Sequence, residues 1–282
     1  MVRSLFAFAL LGAQALVSAA AEVETRTIDE IYQAALAEGG TVTLWHGGDE
    51  STQQNSLKAS FEKKFPGMTL NVTVDLSKYH DGNIDEQIAA NNVYVDSVIL
   101  QTLHDFPLKL MIWTSLMFST SLKQYGTAWL DKLLALNPRW VRGTQTPRTI
   151  YTNNGTQWAA TFTSSGSLNP VSPFKSSFPV KGQFVSWPQT GGILKNAPHP
   201  EGAKLLHAYI LSTEFQQARG GWSVRGDVPP PANYPAILDV PGTDPTAFGK
   251  WMSDRAAVER LRFWLESRLG TAQGLSPLID NL

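Results

Sequence analysis

The feature that most constrains the fold is an alternation of strand and helix patterns between residues 41 and 101. Segments rich in β-forming residues lie at 41–45, 68–74 and 94–101, and two stretches with helical spacing separate them. Parallel neighbouring strands need a helical crossover, so this order predicts an α/β fold with a parallel sheet.

Local signals place the first helix and the polar segment after the second strand. Thr27 and Glu30 have the spacing of a capping box, and the glycine pair at 39–40 is typical of a helix end. Residues 75–83 are polar and indicate a loop.

The second half of the chain shows fewer strand patterns. Residues 122–136 predict a helix, whereas 144–200 are rich in Ser, Thr, Asn, Gly and Pro and indicate strands and loops. Pro200 is suited to the first turn of a helix, and Ser212 can cap the next one. An amphipathic helix is expected at 256–269, with Phe263 among its apolar residues.

The N-terminus has the features of a secretory signal peptide. Arg3 precedes an apolar run of 13 residues at 5–17, which is shorter than the roughly 20 that a membrane span needs. Small residues follow, and we expect cleavage after Ala19 or Ala21. The protein is therefore expected to lose 1–21 and to be secreted, or periplasmic in a bacterium, without stable membrane insertion.

Composition and charge exclude several partners and sites. The net charge is −1, so the chain lacks the basic excess that neutralises nucleic-acid phosphates. It contains no cysteine, which excludes disulfides and thiolate sites. Asn71 and Asn154 begin sequons that would accept glycans only on a eukaryotic secretory route.

Three histidines suggest a possible metal site. His46, His80 and His104 each follow a predicted strand, and an aspartate lies within three residues after each of them. The carboxyl ends of parallel strands share one edge, and imidazole with carboxylate suits iron, zinc or copper. The alternative is that three polar loops contain histidine by chance.

Loop residues of both halves are also candidates for contact with a small polar ligand. Trp45 offers an aromatic face beside the glycines at 47–48, although it can equally belong to the core of the first strand. Side chains with hydroxyl, amide and indole groups in loops of the second half of the chain can orient a polar solute. The predicted ligand-binding residues are Trp45, His46, Asp49, Ser164, Trp187, Gln189 and Thr190.

Three segments carry a resemblance to a known family. Residues 34–45 are similar to the opening helix and strand of bacterial-type extracellular solute-binding proteins, and 187–216 and 222–229 are similar to their C-terminal lobe. The similarity is nearest to the ferric-iron and thiamine branch of ABC-transporter substrate-binding proteins, with secreted fungal relatives. It implies a periplasmic-binding-protein-like II fold, in which two α/β lobes clamp a ligand.

The same resemblance divides the chain. After the signal peptide expected at 1–21, it implies an N-terminal α/β lobe at 22–105, a second α/β lobe at 106–250 and a C-terminal helical segment at 251–282. Members of the family carry several dozen more residues after the third strand. The second lobe is therefore expected to be truncated near residue 107.

The function expected from these features is that of a non-enzymatic, monomeric, secreted solute-binding protein. It would take a small polar solute or a metal ion, need no cofactor other than a possible metal ion, and act with a membrane transporter that the sequence does not identify. Two alternatives stay open. One is a secreted metal-binding protein or metalloenzyme using the three histidines, and the other is a truncated product that binds nothing.

Overall fold

A computed structural model describes residues 23–100, 125–141, 143–154, 160–161, 168, 170, 172 and 174–270. Predictions for other residues, including the signal peptide, the truncation near 107, His104 and Ser164, lie outside this part of the chain.

The described residues form one sheet of four strands in the order β2-β1-β3-β4. Strands β1, β2 and β3 are parallel to one another, whereas β4 is antiparallel to β3. The strands are β1 (Thr41–Gly47), β2 (Thr69–Asp75), β3 (Ser97–Leu100) and β4 (Thr190–Ile193). The predicted α/β class is confirmed, and the predicted parallel strands lie where the β-rich segments placed them.

Helices connect and cover these strands. In the described residues they are α1 (Ile28–Ala37), α2 (Asn55–Lys64), α3 (Ser77–Ala89), α4 (Ala128–Ala135), α5 (Thr146–Asn154), α6 (Pro200–Ile210), α7 (Thr213–Ala218), α8 (Ala247–Ser253) and α9 (Arg255–Leu269), with a short 3-10 turn at Ile237–Asp239.

Three predicted helix starts are confirmed. In the capping box of α1, the Thr27 hydroxyl accepts from the Glu30 amide at 3.3 Å and the Glu30 carboxylate accepts from the Thr27 amide at 2.7 Å. Helix α6 has Pro200 in its first turn, and the Ser212 hydroxyl caps α7. These signals are local, because each joins residues within one turn.

Two helices correct the sequence prediction. Helix α3 begins at Ser77, inside the segment predicted as a loop, and α5 lies inside the segment predicted as strand and loop. The inward face of α3 includes the polar residues His80 and Gln87, so its hydrophobic periodicity is weak in the sequence. In α9, Phe263 is 76% exposed although it was predicted to lie on the apolar face.

The main core lies between the sheet and helices α1, α2 and α6. It contains fully buried residues from both ends of the described chain, including Leu44 and Phe61 together with Leu205 and Leu206. Helix α6 packs closely on β1, because a Cβ atom at Gly202 would lie 2.7 Å from the carbonyl oxygen of Thr41. Residues 190–218, predicted to lie in the second lobe, therefore pack with the first.

Smaller clusters lie outside this core. Helix α3 covers the opposite face of the sheet, where Trp45, Ile84 and Val98 are buried together. Phe248 and Val258 belong to a second cluster formed by α8 and α9. None of the described helices combines the length and apolar character needed to cross a bilayer.

Candidate functional site

Strand register brings several predicted ligand-binding residues to one edge of the sheet. Gly47 is paired with Asp75 where β1 and β2 end, and Leu100 at the end of β3 is paired with Thr190 at the start of β4. In an open α/β sheet the ligand crevice lies beyond the carboxyl ends of the parallel strands. This carboxyl edge is therefore the candidate site.

His46 is the most unusual titratable group at this edge. Its side chain is almost fully buried, and Nδ1 lies 2.8 Å from the carbonyl oxygen of Gly47. A carbonyl oxygen only accepts, so Nδ1 carries the proton and Nε2 presents a lone pair. Among the described residues, nothing forms a hydrogen bond with Nε2.

The environment of His46 keeps its ring neutral. Burial lowers its pKa from 6.5 to about 4; the carbonyl of Gly47 opposes this effect, while the positive charges of Arg219 and His80 add to it. At neutral pH the imidazole is therefore an acceptor for a donor group or a metal ion.

His80 lies in α3 rather than in a loop, and it is buried. Its Nε2 donates to the carbonyl oxygen of His46 at 3.1 Å, and its ring stacks on Trp45 with 5.0 Å between the centroids. Trp45 also meets Tyr94 edge to face at 5.8 Å and is only 7% exposed. The structure thus places Trp45 in the core under α3, on the face of the sheet opposite to the side chain of His46.

Asp49 is buried and engaged with a helix N-terminus. Its carboxylate accepts from the amides of Gln145 and Thr146, with its shortest distances to them 2.9 Å and 2.7 Å, and from the Thr146 hydroxyl at 2.7 Å. The Thr144 hydroxyl donates to it at 3.3 Å. A carboxylate at the start of α5 is favoured by the orphan amides and by the helix dipole. Asp49 therefore joins the loop after β1 to α5.

A close approach of backbone and side chain shapes the end of β1. A Cβ atom at Gly47 would lie 2.2 Å from the hydroxyl oxygen of Ser77 in the first turn of α3. A side chain at position 47 would therefore have to displace the Ser77 hydroxyl at the start of α3. This close approach was not recognised from the sequence, where the glycines at 47–48 were noted only for their position beside Trp45.

The candidates from the second half of the chain are divided between two places. Gln189 is exposed and Thr190 is half-buried at the start of β4, so both lie at the carboxyl edge. Trp187 instead packs against Phe248 with 5.7 Å between ring centroids, in the cluster of α8 and α9. Ser164 lies outside the described residues.

A second histidine lies against the sheet from α6, beside the first residue of β3. His207 of α6 is largely buried, which lowers its pKa, and its Nε2 lies 2.6 Å from the Ser97 hydroxyl. Ser97 itself is fully buried, so this pair fixes α6 against β3.

The described residues contain no group of three or more histidines, aspartates or glutamates arranged to hold a metal ion. His46 and His80 are neighbours, while His104 lies outside the described part of the chain. Of the two sequon asparagines, Asn71 is exposed on β2 and Asn154 is the last residue of α5.

Comparisons with known proteins give limited information. No protein-family model matches the sequence, and no curated protein matches it. Among solved structures, iron-bound HitA from Pseudomonas aeruginosa is similar, with a TM-score of 0.43 and 14% sequence identity over 79% of this chain and 99% of that one. At this level, the likeness assigns neither a family nor a ligand to the chain.

Proposed function

We propose that this protein is an exported solute-binding protein that holds a small polar solute or a metal ion at the carboxyl edge of its sheet. In this proposal it acts without catalysis and as a monomer. A second lobe would close over the solute, as the resemblance in the sequence implies.

The observation that carries the proposal is the buried neutral imidazole of His46 at this edge. His46 is paired with Ile99, and Ile99 with Gly191, so β1 and β4 are separated by one strand. Adjacent strands are about 4.8 Å apart, which places His46 roughly 10 Å from the start of β4. A small solute can span this distance and reach Gln189.

The polarity of the edge favours a solute that donates hydrogen bonds. Nε2 of His46 can accept one, and the exposed amide of Gln189 can donate or accept. The Asp49 carboxylate is already bound to the start of α5, so it supplies little free negative charge. A polyhydroxylated or amine-bearing organic molecule fits these groups, and a metal ion would use the Nε2 lone pair.

Binding can be tested by thermal-shift screening of the secreted protein. The panel should contain sugars, thiamine derivatives, phosphorylated compounds and metal salts, and calorimetry should give the affinity for any compound that raises Tm. We expect Gln189→Ala and His46→Asn to weaken binding by about 1–3 kcal/mol each, the usual cost of losing a central contact.

A matched control is Asn196→Ala, which removes an exposed amide beyond the opposite end of β4. It should leave affinity unchanged. Equal affinities for wild type and both edge variants, with folding intact, would move the binding site away from this edge.

Metal content separates the two kinds of solute. Elemental analysis of purified protein should show one bound metal ion, lost in His46→Asn, if the solute is a metal. This would also support the metal-binding alternative, and turnover assays would then distinguish a metalloenzyme. Protein that contains no metal but responds to an organic compound supports the polar-solute form of the proposal.

Export has its own test. We expect N-terminal sequencing of secreted material to begin near Ala20 or Glu22. Intact Met1 on extracellular or membrane-bound protein would contradict the predicted signal peptide. Non-cooperative unfolding of the secreted chain would support the alternative of a truncated product.

A further inference from the structure

Strand β2 forms an open edge of the sheet. It pairs with β1 on one side, and no described strand lies on its other side. Unpaired backbone groups along an edge of seven residues can pair with another chain and cause aggregation.

Part of this edge is already closed by side chains of α2. The Leu70 amide donates to the Glu62 carboxylate at 3.0 Å, and the Leu70 carbonyl accepts from the Lys58 ammonium at 2.7 Å. Lys58 and Glu62 are themselves an ion pair at 2.5 Å. Both outward backbone groups of Leu70 are therefore occupied.

The remaining outward groups belong to Val72 and Val74. In a parallel strand, alternate residues direct their amide and carbonyl to opposite sides. The backbone groups of Thr69 and Asp75 form hydrogen bonds on the side of β1. The backbone groups of residues 70, 72 and 74 therefore point away from β1, toward the open side of the strand. No described side chain caps the backbone of Val72, which is half-buried, whereas Val74 is only 5% exposed, so this part of the edge stays open at Val72.

A glycosylation sequon lies on either side of this open position. Asn71 and Thr73 are both exposed, lie on the same face of the extended strand, and form no hydrogen bond with another described side chain. We propose that Asn71 is N-glycosylated during export and that the glycan shields the open edge at Val72. The proposal shares only the export step with the proposed function.

The modification is a group transfer from a polyprenyl-diphosphate oligosaccharide, catalysed by the transferase of a eukaryotic secretory route. The side-chain amide nitrogen of Asn71 forms a bond to the anomeric carbon of the first sugar. The bond from that carbon to the diphosphate oxygen breaks, the lipid diphosphate leaves with the electron pair, and the amide loses one proton.

The modification is tested by expressing the full chain in a eukaryotic secretory host and measuring intact mass before and after treatment with an N-glycosidase. We expect a glycan on the wild type and on Thr73→Ser, which keeps the sequon, and none at position 71 in Asn71→Gln or Thr73→Ala. Unmodified Asn71 in secreted wild-type protein would overturn the proposal.

Failure of the leader must be distinguished from failure of the modification. In a second arm, residues 1–21 are replaced by the host's own signal peptide. Retention of the first form inside the cell, with secretion and glycosylation of the second, would refute the predicted leader and support the glycan. Secretion of the second form without a glycan would overturn the proposal.

Shielding of the edge is tested with a pair of variants that both lack the glycan. Thr73→Ala leaves the edge open, whereas Thr73→Lys adds a charge that disfavours strand pairing. By light scattering at equal concentration, we expect Thr73→Ala to associate several-fold faster than glycosylated protein, and Thr73→Lys to associate as slowly as the glycosylated form. Equal, slow association of Thr73→Ala would refute the shielding role.

Discussion

The buried imidazole of His46 should make the protein lose stability as the pH falls below neutrality. In the unfolded chain the ring takes up a proton near pH 6.5, whereas in the folded protein its pKa is about 4. Between these values the unfolded state binds more protons, so acid favours unfolding. The stabilisation is fully present above pH 6.5 and is lost as the pH falls toward the folded-state pKa.

The size of the effect follows from the two pKa values. One pKa unit corresponds to about 1.4 kcal/mol, so the full shift corresponds to about 3 kcal/mol of unfolding free energy. Between about pH 7.5 and pH 5, before most carboxylates titrate, the loss is about 2 kcal/mol. His207 contributes in the same direction, because burial lowers its pKa as well.

Urea unfolding followed by tryptophan fluorescence at several pH values measures this dependence. With an m-value of about 2 kcal/mol/M, a loss of 2 kcal/mol lowers the midpoint by about 1 M. His46→Asn keeps an amide near the position of Nδ1 but cannot titrate, so its midpoint should fall much less over the same range. His46→Asn/His207→Asn should be flatter still.

The result that would refute this reasoning is a pH dependence that His46→Asn leaves unchanged while the variant is folded at neutral pH. Such a result would mean that the imidazole is accessible to protons in the folded protein. It would also remove the basis for treating Nε2 as a neutral acceptor in the candidate site.

Three further predictions concern residues that position this edge. Asp49→Asn removes hydrogen-bond acceptors for the amides at the start of α5 and should lower the free energy of unfolding in urea by about 1–3 kcal/mol. An unchanged urea midpoint would contradict the buried contacts of Asp49. Thr27→Ala should lower the free energy of unfolding by about 1 kcal/mol, whereas Thr27→Ser should change it little. An equal decrease in both variants would exclude a capping effect. Gly47→Ala should lower Tm, because the added Cβ atom would clash with the Ser77 hydroxyl. Adding Ser77→Ala to this variant should restore part of the lost Tm, and no recovery in the double variant would place the strain elsewhere.

The elements that could be predicted from the sequence depend on residues close together in the chain. The capping box of α1, the start of α6 at Pro200 and the alternation of β2 each need fewer than ten residues to form. The contact between Asp49 and the start of α5 joins residues 96 apart, and no local pattern encodes it. The helix α5 was missed for the same reason, because its first turn is capped from another part of the molecule.

The candidate site was predicted at the carboxyl edge of the sheet, but its residues were not expected to point in different directions. The strand was predicted to end at Trp45, which left His46 in a loop, whereas β1 continues to Gly47. Successive side chains of a strand point to opposite faces, so Trp45 and His46 cannot both face one crevice. Trp45 lies under α3, and His46 lies on the face covered by α1, α2 and α6 together with Ile99. Two residues of additional strand therefore decide which face of the sheet each of these two buried side chains joins.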